Sequence, residues 1–231
     1  MQDSKGRDGT VRVGLVDDQE LFREGIRVII DAQPDMTVVG TARDGFEAVM
    51  MVDEVLPDVV LMDIRMPELD GVEATRRIFA PERTAARERP VRVVVLTTFN
   101  LDDRAATAIR HGASGFLLKD VTPGQLLDAI RTVHSGNAVL SPTDLATLLG
   151  ARFPGRPPVP ETYLSLTEKE REVFAEVARG LSNTEIAARV YLGESTVKTH
   201  VGSLLRKLGL RDRVQIVVYA HEHHLVQSTE D

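Results

Sequence analysis

The sequence predicts two domains of different classes, a doubly wound α/β domain followed by an all-α domain. Short apolar runs alternate with amphipathic helical patterns up to about residue 135. Four prolines then fall within residues 153–160, a composition typical of a linker. Beyond them the chain carries only helical patterns with clear caps. We therefore expect a disordered N-terminus over residues 1–10, the α/β domain over 11–135, a linker over 136–165, the helical domain over 166–225 and a tail over 226–231.

Composition narrows the classes of protein that are expected. Hydrophobic residues make up 42% of the 231 residues, enough for packed cores, and the absence of cysteine excludes disulfides and thiol chemistry. No run approaches the roughly 18 apolar residues of a membrane span, and the polar N-terminus does not resemble a signal peptide. We therefore expect a soluble, cytoplasmic protein without a membrane partner.

A net charge of −7 does not exclude DNA, because residues 179–213 hold seven basic and three acidic residues. Binding to phosphates depends on such a local patch rather than on the total charge.

Five short apolar runs predict strands of a parallel sheet buried on both faces. They are Val11–Val16, Met36–Thr41, Val59–Met62, Val91–Leu96 and Gly115–Leu118.

Amphipathic segments between and after these runs predict the covering helices. Glutamate or glutamine three residues after a capping residue marks several helix starts, as in Asp44–Glu47 and Asp70–Glu73. Residues 81–90 predict a solvated loop or a frayed helix end. The expected helices are Leu21–Ile30, Phe46–Val55, Val72–Phe79, Arg104–Arg110 and Leu126–Val133.

Polar side chains follow four of the predicted strands. Asp17 and Asp18 follow the first strand and Asp63 the third, while Thr97 and Lys119 follow the fourth and fifth. Parallel strands end at one edge of a sheet, where ligands bind. Carboxylates brought so close together need a cation, and an oxygen-only ligand set favours Mg²⁺. These residues predict a site for a metal ion and a phosphoryl group.

The same set, with Met66-Pro67 and Asp70-Gly71, resembles the receiver domain of two-component response regulators. The resemblance implies a flavodoxin-like sheet with strand order 2-1-3-4-5. It also implies that Asp63 is the phosphoacceptor, phosphorylated from the phosphohistidine of a sensor histidine kinase. The domain then catalyses only its own phosphorylation and dephosphorylation and is not otherwise an enzyme.

The resemblance also assigns roles to the other residues of the set. Asp18, Asp63 and the backbone carbonyl of Arg65 would hold Mg²⁺ directly, and Asp17 largely through water. Lys119 would pair with the phosphoryl group and Thr97 would turn its hydroxyl towards it. Phe116 would follow inward as a switch, unless it is a permanently buried core aromatic. Asp120 stands where many receivers have proline, which leaves the local peptide geometry open.

The C-terminal segment predicts a helix-turn-helix. Thr167–Glu170 and Ser182–Glu185 are capping boxes, and Tyr191-Leu192-Gly193 forms the turn before a further helix. Apolar residues at helical spacing put one face of that helix on a core. The other face carries small and basic residues suited to a major groove; they are Lys198, Thr199, Gly202, Ser203 and Arg206.

The motifs from Leu166 to Val201 resemble the four-helix LuxR-type DNA-binding domain, and the two domains together resemble NarL/FixJ response regulators. The chain departs from the pattern at Gly193, where a serine or threonine cap is usual, and at Gly202, where some relatives carry a longer side chain. His200 could instead be a packed residue. The expected DNA contacts are Lys198, Thr199, His200, Ser203 and Arg206.

The resemblance further implies a homodimer when phosphorylated, bound to double-stranded DNA at an inverted-repeat operator. Val214, Val217 and Val218 are candidates for the dimer contact, or equally for the core of their own domain. Whether the receiver releases the recognition helix or drives dimerisation stays open, as does RNA polymerase as a partner.

Other functions fit the residues less well. A phosphohydrolase with an aspartyl-phosphate intermediate would want Asp-x-Asp at one strand end, whereas Asp17 and Asp18 are adjacent. The complete acidic set argues against a regulator that works without phosphorylation, and no Gly-x-x-x-x-Gly-Lys loop supports nucleotide binding. A metal site at His221, His223 and His224 is less favoured than adventitious binding.

Overall fold

The computed structural model describes residues 9–87, 89–98, 103–137 and 159–225. The chain divides into two compact units, residues 1–135 and 136–231, which are described separately. The expectations for the N-terminus, for most of the linker and for the C-terminal tail concern residues outside the described part of the chain.

The first unit contains a five-stranded parallel sheet of order β2-β1-β3-β4-β5, which confirms the expected fold and strand order. Residues of β3 are buried along its whole length, because helices cover both faces of the sheet. Each predicted apolar run forms a strand, with ends that differ by one residue at most. The strands are β1 (Val11–Val16), β2 (Met36–Ala42), β3 (Val59–Asp63), β4 (Arg92–Thr97) and β5 (Gly115–Leu118).

Six helices accompany the sheet in the described residues, and capping side chains begin three of them. Asp44, Asp70 and Thr122 each accept a hydrogen bond from the N–H three residues ahead, and Thr122 forms a full capping box. The helices are α1 (Glu20–Asp31), α2 (Gly45–Val55), α3 (Gly71–Ile78), α4 (Pro81–Ala86), α5 (Asp103–Arg110) and α6 (Pro123–His134).

Helix α4 lies where a solvated loop or a frayed helix end was expected. Pro81 stands at the first helical position, where its fixed φ favours a helix and its missing N–H costs nothing. Asp53 on α2 accepts hydrogen bonds from Arg83 and Arg87, and the Arg87 side chain is only 6% exposed. The charges that suggested a solvated loop therefore tie this segment to α2.

Over the residues 159–225 that the structure describes, the second unit contains helices and no strand, as predicted. Tyr163 packs edge-on against Phe174 at a centroid distance of 5.1 Å, so residues 161–164, expected as linker, contribute to the helical core. Phe174 is fully buried among apolar residues from the other helices. The helices are α7 (Glu161–Leu164), α8 (Glu168–Ala178), α9 (Asn183–Val190), α10 (Glu194–Leu208) and α11 (Arg213–Glu222).

Within the described residues, none of the helices has the length and apolar character that crossing a membrane requires.

Candidate functional site

An acidic cluster forms where β1 and β3 end. The two strands are hydrogen-bonded neighbours with Val16 opposite Met62, so Asp17 and Asp63 leave the sheet at the same edge. Both residues are buried, at 2% and 5% exposed, whereas Asp18 beside them is exposed. Each of the three offers a carboxylate oxygen within 4.8 Å of the others, a separation compatible with one shared cation.

Lys119, at the end of β5, reaches into this cluster. Its Nζ lies 2.6 Å from Oδ2 of Asp17 and 2.8 Å from Oδ2 of Asp63, and 4.8 Å from the ring centroid of Phe22. Burial acts to lower the pKa of the Lys119 ammonium, but the hydrogen bonds to Asp17 and Asp63 outweigh it and raise that pKa. The ammonium is therefore charged at neutral pH and held against both carboxylates.

The cluster remains short of positive charge. Burial raises the pKa of Asp63, while the neighbouring ammonium of Lys119 opposes that rise. Three carboxylates face the one ammonium of Lys119, which leaves an excess of two carboxylates; the nearby guanidinium of Arg23 donates to the backbone carbonyl of Asp17 and not to a carboxylate. A divalent cation would neutralise this excess, so the donor set fits the predicted Mg²⁺.

Gly71, at the start of α3, positions the phosphoacceptor candidate. A Cβ at this residue would lie 2.0 Å from the backbone oxygen of Asp63, closer than any real contact. The Gly71 N–H also donates to the carbonyl of Ile64 at 2.9 Å. Sequence reasoning marked Gly71 only as part of a helix start, yet the absent side chain is what lets α3 begin against the backbone of Asp63.

The remaining receiver residues lie along the same edge. Leu96 pairs with Asp63 across β3 and β4, which puts the buried Thr97 one residue beyond it. The Arg65 N–H donates to Oδ1 of Asp63 at 3.4 Å. Phe116 is half-buried in β5 and so is not enclosed as a fixed core aromatic would be.

Helix α10 exposes most of the residues expected to contact DNA. Lys198, Thr199 and Arg206 are exposed, and His200 is half-buried. Across the described part of the chain, neither an ion pair nor a hydrogen bond involves the charged groups of Lys198 and Arg206. These two cations are therefore available to a ligand.

Ser203 differs from the other expected contacts. It is half-buried and its Oγ donates to Oε1 of Glu170 on α8 at 2.8 Å, while Lys207 donates to Oε2 of the same carboxylate at 2.7 Å. Glu170 also accepts from the N–H of Thr167. Ser203 thus holds α10 against α8, and sequence periodicity did not reveal this contact because Glu170 is 33 residues away along the chain.

The basic stretch that suggested DNA binding is also less exposed than its composition indicates. Arg213 is buried, and its guanidinium donates to the carbonyl of Leu181 and to Oδ1 of Asn183 at the start of α9. Burial lowers the pKa of Arg213 to about 10. Arg213 and Lys207 therefore stabilise the helical domain, and within the described residues Lys198 and Arg206 are the exposed cations of α10 that have no ion pair.

The two remaining predictions concern α11. Val214, Val217 and Val218 are 0%, 3% and 3% exposed, so a second copy of the chain could contact them only after they became uncovered. The ring of His223, just after α11, packs in a tilted orientation against that of Tyr219, with the ring centroids 4.6 Å apart. Of the residues that the structure describes, only the acidic cluster meets the geometry of a metal site, and the histidines do not join into one.

Comparison with known proteins agrees with both domains. Residues 13–131 match the response regulator receiver domain family, and residues 164–220 match the LuxR family of bacterial regulatory proteins. The transcriptional regulatory protein LiaR of Bacillus subtilis is 39% identical, over 94% of this chain and 99% of its own length. The response regulator protein VraR of Staphylococcus aureus is 37% identical, over 94% of this chain and all of its own.

Among solved structures, a LuxR-family two-component response regulator from Aurantimonas sp. is similar. It is 34% identical, covers 61% of this chain and 96% of its own, and superposes with a TM-score of 0.53.

Proposed function

The chain belongs to the two-component response regulators that join a receiver to a LuxR-type DNA-binding domain, and we propose that phosphorylation of Asp63 controls its binding to DNA. The observation that supports the proposal is the charge imbalance at the sheet edge, where the ammonium of Lys119 contacts Asp17 and Asp63 and a third carboxylate, Asp18, lies beside them. In a purely structural ion pair the positive and negative charges would be equal in number. This cluster instead needs a divalent cation, and the carboxylate of Asp63 would lie beside that cation.

Mg²⁺ would be held by Asp18, Asp63 and the backbone carbonyl of Arg65, with Asp17 acting largely through water. When bound, it supplies positive charge that offsets the charge of a transferring phosphoryl group. The buried position of Asp17 and Asp63 strengthens every such interaction, because little water competes there.

Asp63 is the nucleophile of this proposal. A carboxylate oxygen attacks the phosphorus of a phosphohistidine on a sensor histidine kinase, the P–O bond forms, the P–N bond breaks, and the imidazole leaves with the electron pair. Lys119 already lies 2.8 Å from the attacking carboxylate, so its ammonium pairs with a phosphoryl oxygen after transfer with little movement.

The switch then runs through the neighbouring strands. The Thr97 hydroxyl turns towards the phosphoryl group, and the half-buried Phe116 moves inward into the space that Thr97 leaves. Such a local charge change biases a two-state surface beyond β4 and β5. Homodimerisation follows, and Val214, Val217 and Val218 are its candidate contacts once they are uncovered.

In the helical domain, α10 is the recognition helix. Lys198, Thr199 and Arg206 contact base edges or phosphates in the major groove, with His200 beside them. Two linked copies on an inverted-repeat operator gain affinity through effective concentration. A regulator of this kind acts in the cytoplasm, and RNA polymerase is the partner through which it would alter transcription.

Selection from a random pool of DNA duplexes tests the proposal. The protein is run with Mg²⁺ alone and with Mg²⁺ plus beryllofluoride, which mimics the phosphoryl group. Enrichment of an inverted repeat only with beryllofluoride is the expected result. Equal enrichment in both runs would leave DNA binding intact but remove phosphorylation as its control, and no enrichment in either would reject DNA recognition.

A further inference from the structure

Gly202 occupies the middle of the exposed face of α10 without a structural reason to be glycine. It is the residue between Lys198 and Arg206 at helical spacing, and it is exposed. A Cβ built on it would meet no atom within 4 Å, and its φ is not positive. Neither backbone conformation nor packing in the described chain therefore requires the missing side chain.

A glycine at this position weakens the helix. In a helix interior, glycine lowers the folding equilibrium roughly fivefold relative to alanine. Elsewhere in the chain the same type of residue serves a close approach, as at Gly71, where a Cβ would collide with the Asp63 backbone. At Gly202 no atom of the described residues makes such an approach, and the exposed cations on either side favour a polyanion as the group that could.

We propose that Gly202 determines operator specificity by letting a base edge in the major groove lie directly against the backbone of α10. This inference rests on the proposed DNA-binding function. Lys198 and Arg206 flank the gap one helical turn away on each side, so they fix the helix over the phosphates and base edges next to it. A side chain at Gly202 would hold the helix away from that base pair.

Substitution of Gly202 by alanine distinguishes a glycine required for DNA recognition from one without a function, because the stability of the domain should rise while its affinity for the operator falls. Gly202→Ala should raise the folding equilibrium of the helical domain roughly fivefold. It should also weaken binding to the selected operator by about tenfold or more, while binding to an unrelated duplex, which depends on phosphate contacts, changes by less than about twofold. Gly202→Gln should shift the preferred base at the facing position.

Gly25 in α1 supplies a matched control, since it too is an exposed glycine within a helix, and a Cβ added to it would meet nothing within 4 Å. Gly25→Ala should stabilise its own domain without changing base preference. Operator affinity and base preference identical to the wild type in Gly202→Ala would overturn the proposal, as would a loss of stability. If the wild-type protein enriches no sequence at all, the failure lies instead with the proposed function.

Discussion

Two centres in this chain pair a lysine with a buried carboxylate, and they differ in charge balance. In the receiver, Lys119 contacts two of three clustered carboxylates. In the helical domain, Lys207 contacts a single carboxylate, Glu170, whose other hydrogen bonds come from Thr167 and Ser203. The second centre is neutral and closed, whereas the first has negative charge to spare.

This difference distinguishes a reactive site from a structural one. Both carboxylate oxygens of Glu170 accept hydrogen bonds from groups of its own domain. This centre therefore serves to hold α10 against α8 and not to bind a ligand. At the receiver centre, the exposed Asp18 and the surplus charge leave coordination for a cation and a phosphoryl group. Both centres involve lysine, so the residue type alone would not have separated them.

The largest expected effect comes from removing the nucleophile. Asp63→Asn should abolish incorporation of phosphate from a phosphorylated kinase, because an amide is not a nucleophile for phosphorus under these conditions. Asp128→Asn is the control, since its carboxylate is 80% exposed on α6 and is not one of the three that form the acidic cluster. Retained phosphorylation in Asp63→Asn, measured by mass spectrometry of the intact protein, would remove Asp63 from its proposed role.

Replacing Lys207 or Lys119 should reveal the difference in charge balance between the two centres. Lys207→Met leaves the carboxylate of Glu170 without its cation and should cost the helical domain about 2–3 kcal/mol, somewhat less than for a fully buried pair because Lys207 is a third exposed. Lys119→Met leaves the receiver carboxylates to repel one another, but millimolar Mg²⁺ should restore its stability by binding only the folded state.

Urea unfolding in EDTA and in Mg²⁺ measures both variants. All three tyrosines lie in the second unit and the chain has no tryptophan, so tyrosine fluorescence follows that unit alone while circular dichroism follows both. Recovery of Lys207→Met in Mg²⁺, or no recovery of Lys119→Met, would contradict the distinction between the two centres.

The pH dependence of the closed centre follows from Glu170. The hydrogen bond from Lys207, followed by those from Thr167 and Ser203, lowers the pKa of Glu170 from an ordinary 4.5 to about 2. A carboxyl with a lowered folded-state pKa binds fewer protons when folded, so its stabilisation is complete above about pH 4.5 and is lost as the pH falls towards 2. We expect a loss of about 2 kcal/mol over that range.

Glu170→Gln should flatten this acid limb when tyrosine-detected unfolding is repeated from pH 7 to pH 3. Glu185 is the matched control, because it occupies the same capping-box position at the start of α9 but is exposed. A Glu185→Gln variant that flattened the limb equally would show that capping, and not the pair with Lys207, is the cause.

The sequence predicted most of what depends on local pattern. The pattern predicts each strand to within one residue because a buried parallel strand is a short apolar run, and it predicts the capping boxes from residues three apart. What it could not predict depends on approach in three dimensions. Two such contacts are the close approach of Gly71 to Asp63 and the hydrogen bonds of Ser203 and Lys207 to Glu170. Each joins residues whose separation along the chain follows no helix or strand period.

The smallest expected effect separates two hydroxyls that periodicity placed on one face of α10. The Ser203 hydroxyl donates to the buried Glu170 of another helix, whereas the exposed Thr199 hydroxyl donates to the carbonyl of Ser195 in its own helix. Ser203→Ala should therefore cost about 1 kcal/mol of stability with the base preference unchanged, and Thr199→Ala should alter DNA affinity with stability nearly unchanged. Tyrosine-detected urea unfolding and operator titration measure the pair. A changed base preference in Ser203→Ala at unaltered stability would show that Ser203 contacts DNA. The centre around Glu170 would then not be purely structural, because one of its hydrogen-bond donors would also bind the ligand.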